Sequence, residues 1–288
     1  MTALIDGKAI AKAIYSEIEQ DIKRLQDNHG IVPGLAAVLV GDNPASRMYV
    51  NSKAKMCGKL GMYSEVITRP AETTEEELLA LIDQLNASEK IHGILVQLPL
   101  PGHINPDRIV QRTDPSKDVD GLHPYNVGLL CTGQPAFIPC TPYGICEMLV
   151  RSQVKVSGRE VVIVGRSNLV GRPLSVLLSA KGPYGDATVT VCHSRSANLT
   201  AICRRADILV VAIGQRRFVT QDMVKPGAVV IDVGSHPATE TDAACGDVDF
   251  QNVAPLTSQI TPVPGGVGPM TIAMLMRNTA NAALRKVR

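Results

Sequence analysis

GREVVIVGRSNLVGRPLSVLL, residues 158–178, reads as a strand, a glycine turn and a helix. An aliphatic run ends at Gly165, a second glycine stands at Gly171, and the apolar residues that follow recur at helical spacing. This element sets a pyrophosphate against backbone N–H groups and the positive amino end of a helix. The turn GRSNLVG departs from G-x-G-x-x-G, and a lone glycine turn is a weak signal. Its weight comes from the strands that follow: ATVTVCH (187–193), ADILVVAIG (206–214) and GAVVIDVG (227–234). Unbroken apolar runs of this kind suit strands buried on both faces of a parallel sheet.

Upstream, GLAAVLVG (34–41) and IHGILVQL (91–98) have the same character. Helices are expected at 5–29, 44–60, 74–87, 142–152, 170–180 and 198–205, with a last one from about 269. The fold class is therefore α/β, with an N-terminal α/β domain, a Rossmann-type parallel-sheet domain and a boundary near residue 141. The section from 99 to 141 is rich in Pro and Gly and too long for an idle connection, so it is expected to build a site.

The chain has 288 residues, 45% of them hydrophobic but only 3% aromatic, which implies an aliphatic core. A net charge of +2 with interspersed signs offers nothing to attract nucleic acid or an anionic membrane, and the partner is expected to be small. Seven cysteines without a C-x-x-C pair indicate neither a disulfide framework nor a zinc site, and they read as reduced core residues. No apolar run approaches the roughly 18 residues of a membrane span, and the first residues lack signal-peptide design, so a cytoplasmic location is expected.

In MYVNSKAKM (48–56), Tyr49 and Lys53 stand one helical turn apart. Asn43 and Pro44 suit the start of that helix, Gly61 its end, and Val50, Ala54 and Cys57 make a buried stripe. Such a pair ordinarily does no more than pack and meet solvent. Its helix begins where a strand ends, however, which is where ligands collect in open α/β sheets. Gln97, the polar residue in ILVQLPLP, lies at another strand's carboxyl end, and a buried amide there needs a partner such as a lysine or a ligand.

The second strand of the later domain ends in His193, Ser194, Arg195 and Ser196, without the carboxylate that binds a ribose 2′-hydroxyl. Arg195 and Arg166 suit a 2′-phosphate, so NADP is expected over NAD. In KDVDGLHPYN (117–126) the acidic spacing does not fit a calcium loop, and the choice lies between an Asx-turn and a carboxylate that accepts from an aminopyrimidine-like ring. In TPVPGGVGPMTIAMLMRN (261–278) the glycines permit close approach of a ligand or form a hinge. His29, His92, His103 and His236 lack a nucleophile at motif spacing and read as structural.

Taken together, YVNSK, GILVQLPLP, KDVDGLHPYNVG, PCTP, VVIVGRSNLVGRP, TVCHSRS, VVIDVG and PVPGGVGPMT resemble the bifunctional methylenetetrahydrofolate dehydrogenase/cyclohydrolase family, over nearly the whole chain and in the family's order. The resemblance implies a folate-binding catalytic domain (1–141 plus 264–288), a Rossmann NADP domain (142–263) and a cleft between them. It implies Lys53 as the catalytic lysine, Tyr49 stacking on the folate, Gln97 tuning Lys53, and Asp120 holding the pterin's amino group. Tyr49, Val50, Asn51, Ser52 and Lys53, with Val96, Gln97 and Leu98, with Asp120, and with Pro264, Gly265, Gly266, Val267 and Gly268, would line the folate pocket. Gly165, Arg166 and Ser167, with Ser194, Arg195 and Ser196, and with Ser235, would take NADP, and no metal is implied. A homodimer built through the Rossmann domains and a place in one-carbon metabolism feeding purine biosynthesis also follow from the resemblance.

Two departures stand out. After VVIDVG the family commonly has Ile-Asn, whereas this chain has Ser235, His236 and Pro237, which leaves a backbone contact as the one able to survive near the nicotinamide. The segment AKGPYGD (180–186) is longer than in many relatives and has no assigned function. Two other classes remain open on the residues alone: an NADP dehydrogenase of the amino-acid or shikimate type, and a non-enzymatic NADP sensor or scaffold.

Overall fold

The structure is a computed structural model that describes residues 2–287. In chain order the elements begin with β1 (Ala3–Leu4), α1 (Gly7–His29), β2 (Gly34–Val40), α2 (Pro44–Lys59), β3 (Tyr63–Arg69), α3 (Glu75–Ala87) and β4 (Gly93–Val96). Then come α4 (Pro106–Arg112), α5 (Pro124–Cys131), α6 (Cys140–Arg151), β5 (Glu160–Val164), α7 (Gly171–Ser179), β6 (Thr188–Cys192) and α8 (Leu199–Cys203). The rest are β7 (Ile208–Val211), β8 (Val229–Asp232), α9 (Phe250–Val253), β9 (Gln259–Ile260) and α10 (Val267–Arg285). Among the described residues, no helix is long and apolar enough to cross a membrane.

Two compact units form, residues 13–140 with 272–288 and residues 1–12 with 141–271. In the first unit a parallel three-stranded sheet has the order β3-β2-β4. β2 is central and buried along all seven residues, as its unbroken apolar run requires. The order puts β3 and β4 on opposite sides of β2, so a crevice opens at the carboxyl ends of β2 and β4. One face is filled by Ala36, Val38, Leu78, Ile82, Ile94 and Ile109 among others. β3 escapes a search for apolar runs because it is an edge strand whose YSEVITR buries no residue fully. The stretch from 99 to 141 holds two short helices, α4 and α5, each opened by a proline behind a capping side chain, Asn105 and His123.

The second unit carries a parallel sheet in the order β1-β9-β8-β7-β5-β6. β6 and β7 flank β5 on opposite sides, so the switch point falls at the end of β5, where the glycine turn begins. Residues 1–12, expected with the first domain, group here because Ala3 and Leu4 pair with Gln259 and Ile260. The return to the first unit comes at residue 272, inside α10, rather than at 264. The cysteines are mostly core residues, but Cys131 is exposed and Cys245 half-exposed.

The segment 180–186 is pinned locally. The Tyr184 hydroxyl donates to Glu147 Oε1 on α6 at 2.5 Å, and its ring meets Tyr143 edge-on at 6.2 Å. This insertion therefore packs as structure against α6.

Candidate functional site

Lys53 is delivered by α2, which starts where Asn43 Oδ1 accepts from the Ser46 N–H at 3.1 Å and Pro44 takes the first helical position. The buried stripe of α2 is Val50, Lys53 and Cys57, with Ala54 only half-buried, so the lysine lies within the apolar row and not beside it. Lys53 is 9% exposed, while Tyr49, one turn earlier, is 42% exposed.

A buried ammonium needs a partner, and Lys53 Nζ donates to Gln97 Oε1 at 3.0 Å. Gln97 sits one residue past β4, its backbone N–H still bonded to Val38 O at 2.9 Å. Its side-chain NH₂ donates to Leu98 O at 2.7 Å, which fixes the amide so that the oxygen faces the lysine. Burial holds the Lys53 pKa below the ordinary lysine value, and the nearby Asp120 and Cys140 pull it partly back. Val96, Leu98 and Asp120 share the wall of a small cavity of about 20 Å³.

Two carboxylates in KDVDG divide their work. Asp118 is buried and accepts from the N–H groups of Leu122 and His123 at 3.2 and 2.8 Å and from Asn126 Nδ2 at 2.7 Å. It is thus a loop-closing residue, with burial raising its pKa to about 6. Asp120 is half-buried and lies beside Lys53 and Cys140. Asn51 and Ser52, expected in the same pocket as Lys53, are exposed and line a separate depression of about 510 Å³ on the outer side of α2, with Arg47, Met48 and Lys55. The structure therefore gathers Lys53, Gln97 and Asp120 and turns Asn51 and Ser52 away from them to the exposed side of their helix.

In the unit of residues 141–271, the glycine turn is a cradle that side chains would fill. A Cβ at Gly165, whose φ is +129°, would sit 2.2 Å from Ala212 O, and one at Gly171 would sit 2.0 Å from Gly165 O. Ser167 Oγ accepts from the Val170 N–H and Ser167 O from the Arg172 N–H, both at 3.1 Å, and Pro173 has no N–H, so the N–H left at the amino end of α7 is that of Gly171. Gly165 N donates to Cys192 O at 2.9 Å, which brings the end of β6 beside the turn. Arg166, Ser167, Ser194 and Arg195 are exposed there. Ser196 differs: its hydroxyl accepts from the His193 N–H at 3.0 Å and closes the loop, while His193 Nδ1 accepts from the Arg195 N–H at 3.1 Å. These residues fit a dinucleotide whose extra phosphate meets guanidinium groups and no carboxylate.

Ser235 is exposed just past β8. Behind it lies a buried acid pair that sequence spacing does not reveal. Asp247, 0% exposed, accepts from the N–H groups of Ile213 and Gly214 at 2.8 and 2.9 Å and contacts His236 Nε2 at 2.9 Å. Asp232 accepts from the N–H groups of Gly234, Asp247 and Val248 at 2.9–3.0 Å, and burial raises its pKa to about 6. The signal available was a carboxylate ending an apolar strand, VVID, followed by a second in GDVD. Pro264, Gly265, Gly266, Val267 and Gly268 belong to this unit too. Lys8 N donates to Gly265 O at 3.1 Å, and a Cβ at Gly7 would lie 1.9 Å from Gly266 O, so these glycines serve close packing of the start of α1. Among the described residues, no group of three or more His, Cys, Asp or Glu side chains is placed to hold a metal ion.

Comparison with known proteins adds a second line of observation. The family model described as tetrahydrofolate dehydrogenase/cyclohydrolase, NAD(P)-binding domain, matches residues 139–287, and the catalytic-domain model of the same name matches residues 5–120. A relative named Bifunctional protein FolD, from Dehalococcoides mccartyi (strain CBDB1), is 55% identical over 288 residues, covering 99% of this chain and 97% of its own. A crystal structure of the bifunctional methylenetetrahydrofolate dehydrogenase/cyclohydrolase FolD from Campylobacter jejuni is similar with a TM-score of 0.95 and 47% identity, covering 99% of this chain and 100% of that one. The Trypanosoma brucei dehydrogenase-cyclohydrolase, solved with NADP cofactor and inhibitor, matches with a TM-score of 0.94 and 38% identity, covering 100% and 99%.

Proposed function

The chain belongs to the tetrahydrofolate dehydrogenase/cyclohydrolase family, and from that premise we propose how its own residues divide the two reactions. The protein is an NADP-dependent enzyme that oxidises 5,10-methylenetetrahydrofolate to 5,10-methenyltetrahydrofolate and hydrolyses the product to 10-formyltetrahydrofolate. Bound NADP supplies the hydride acceptor for the methylene carbon. The backbone around Gly165 and the amino end of α7 hold the pyrophosphate, Arg166 and Arg195 neutralise the 2′-phosphate with Ser167 and Ser194 beside them, and Ser235 contributes at the nicotinamide end. Ser196 supports this loop through His193.

The cyclohydrolase step falls to Lys53. Water adds to the methenyl carbon and one of its protons passes to the neutral amine; the amine returns a proton to the ring nitrogen as that carbon–nitrogen bond breaks, and the remaining hydroxyl proton leaves to solvent as the formyl C=O forms. An amine does this near neutral pH only if its pKa is lowered, and burial lowers it here. Gln97 keeps Nζ aimed, Tyr49 stacks on the folate, and Asp120 accepts from the pterin's amino group. Val50, Val96 and Leu98 supply apolar wall.

The observation that carries this reading is the 3.0 Å bond between a buried Lys53 and an amide locked by its own neighbour. Lys53→Met should lower cyclohydrolase turnover by at least about 10²-fold, with NADP affinity and the melting curve unchanged. Near-normal hydrolysis of methenyl substrate by that variant removes the assignment. The proposed setting is a cytoplasmic homodimer in one-carbon metabolism feeding purine biosynthesis, with pairing proposed through β6, a sheet edge that exposes Val191.

A further inference from the structure

Four consecutive residues, Lys117 to Asp120, carry the acid that faces Lys53, and three of them are tied down. The Lys117 ammonium donates to Leu85 O, Asn86 O and Ser88 O at 3.0, 2.7 and 2.7 Å, carbonyls at and just past the end of α3. Asp118 closes the start of α5. Val119 is fully buried against Gly93, where a Cβ would lie 2.7 Å from its methyl carbon. Asp120 alone is left half-open.

What holds the chain just before that acid, and the backbone at 138–139 against which Gly121 packs just after it, comes from α10. Asn278, 2% exposed, donates through Nδ2 to Val119 O at 2.8 Å and to Ile138 O at 2.9 Å, and the same nitrogen lies 3.8 Å from Cys140 Sγ. Cys140 donates its thiol toward Val119 O at 3.5 Å and is also within hydrogen-bonding reach of Asp120. An amide has two N–H bonds, and both are spent on backbone carbonyls 19 residues apart, from loops that no strand ladder joins.

We infer that Asn278, with Cys140, is a positioning residue for folate: the pair clamps the backbone flanking Asp120, so that its carboxylate meets the pterin amino group beside Lys53. This rests on the proposed role of Asp120. A side chain that only held the fold together would weaken every function alike, whereas a clamp on Asp120 acts on folate through that carboxylate.

The test is a double-mutant cycle on the full-length enzyme, following methenyl formation with methylenetetrahydrofolate and NADP varied separately. Asn278→Ala should raise the KM for folate roughly tenfold, since small misplacements of a binding group cost that much or more, and should leave the KM for NADP within about twofold. In an Asp120→Ala background the same substitution should add almost nothing, because its effect passes through the missing carboxylate. If Asn278→Ala does not fold, Cys140→Ala supplies the same cycle from the other side of the clamp. Additive losses in the double variant, or an unchanged folate KM in the folded single variants, overturn the inference. A normal folate KM in Asp120→Ala alone instead overturns the role of Asp120, so the two failures are told apart.

Discussion

At the residue scale the chemistry turns on one amine and its acceptor. Lys53 is held below the ordinary lysine pKa of 10.5, with burial the first cause. The active base is the neutral amine, so cyclohydrolase kcat/KM should climb as Lys53 loses its proton and level off below pH 10.5. Gln97→Glu places a carboxylate where Oε1 now accepts. An anion there favours the ammonium, so the rising limb should move to higher pH, and pH–rate profiles of the two proteins check the direction. The Tyr49 and Lys53 spacing was legible in the sequence, and so was Gln97 as a polar residue at a strand end. Whether Lys53 or Ala54 completed the buried stripe was not legible, because a drift of one residue around a helix is decided by what packs against it.

At the element scale, the strand, turn and helix from 158 to 178 depend on two glycines for steric reasons. Gly171→Ala would push a Cβ to 2.0 Å from Gly165 O, a backbone atom with little room to move. The expected cost is about 2–4 kcal/mol in chemical denaturation, with a raised KM for NADP and a smaller effect on cyclohydrolase activity. The loop from 117 to 123 offers a linkage test. The Asp118 pKa is raised to about 6, so between its ordinary 3.8 and that value the folded state holds a proton that the unfolded chain has lost. Its contribution to stability therefore falls as pH rises through that window, by about 2–3 kcal/mol in all. Wild type should lose that much relative to Asp118→Asn between pH 4 and pH 7 in urea unfolding. Apolar runs disclosed the central strands, yet β3, α4 and α5 stayed hidden. An edge strand alternates weakly, and a helix of seven or eight residues shows too few turns for a period to emerge.

At the scale of the whole molecule, cofactor choice and assembly are the measurable consequences. With no carboxylate at the end of β6 and Arg195 exposed there, Arg195→Asp should shift the kcat/KM ratio from NADP toward NAD by about tenfold or more, read with both cofactors in parallel. Sedimentation at twice the chain mass would support the homodimer, and a charge introduced at Val191 should split it. The sequence by itself determined what depends on near neighbours: two runs of α/β units, a glycine turn poised for phosphate, a lysine and tyrosine on one helix, and the family these motifs resemble. Tertiary structure decided which of two aspartates two positions apart closes a loop and which faces the lysine. It also placed Asp247 and His236 behind Ser235, and it brought Asn278 to Val119 across 159 residues of chain. The reason is physical. Periodicity and turn chemistry act over a few residues, whereas burial and hydrogen-bond partnership are settled only when distant segments pack.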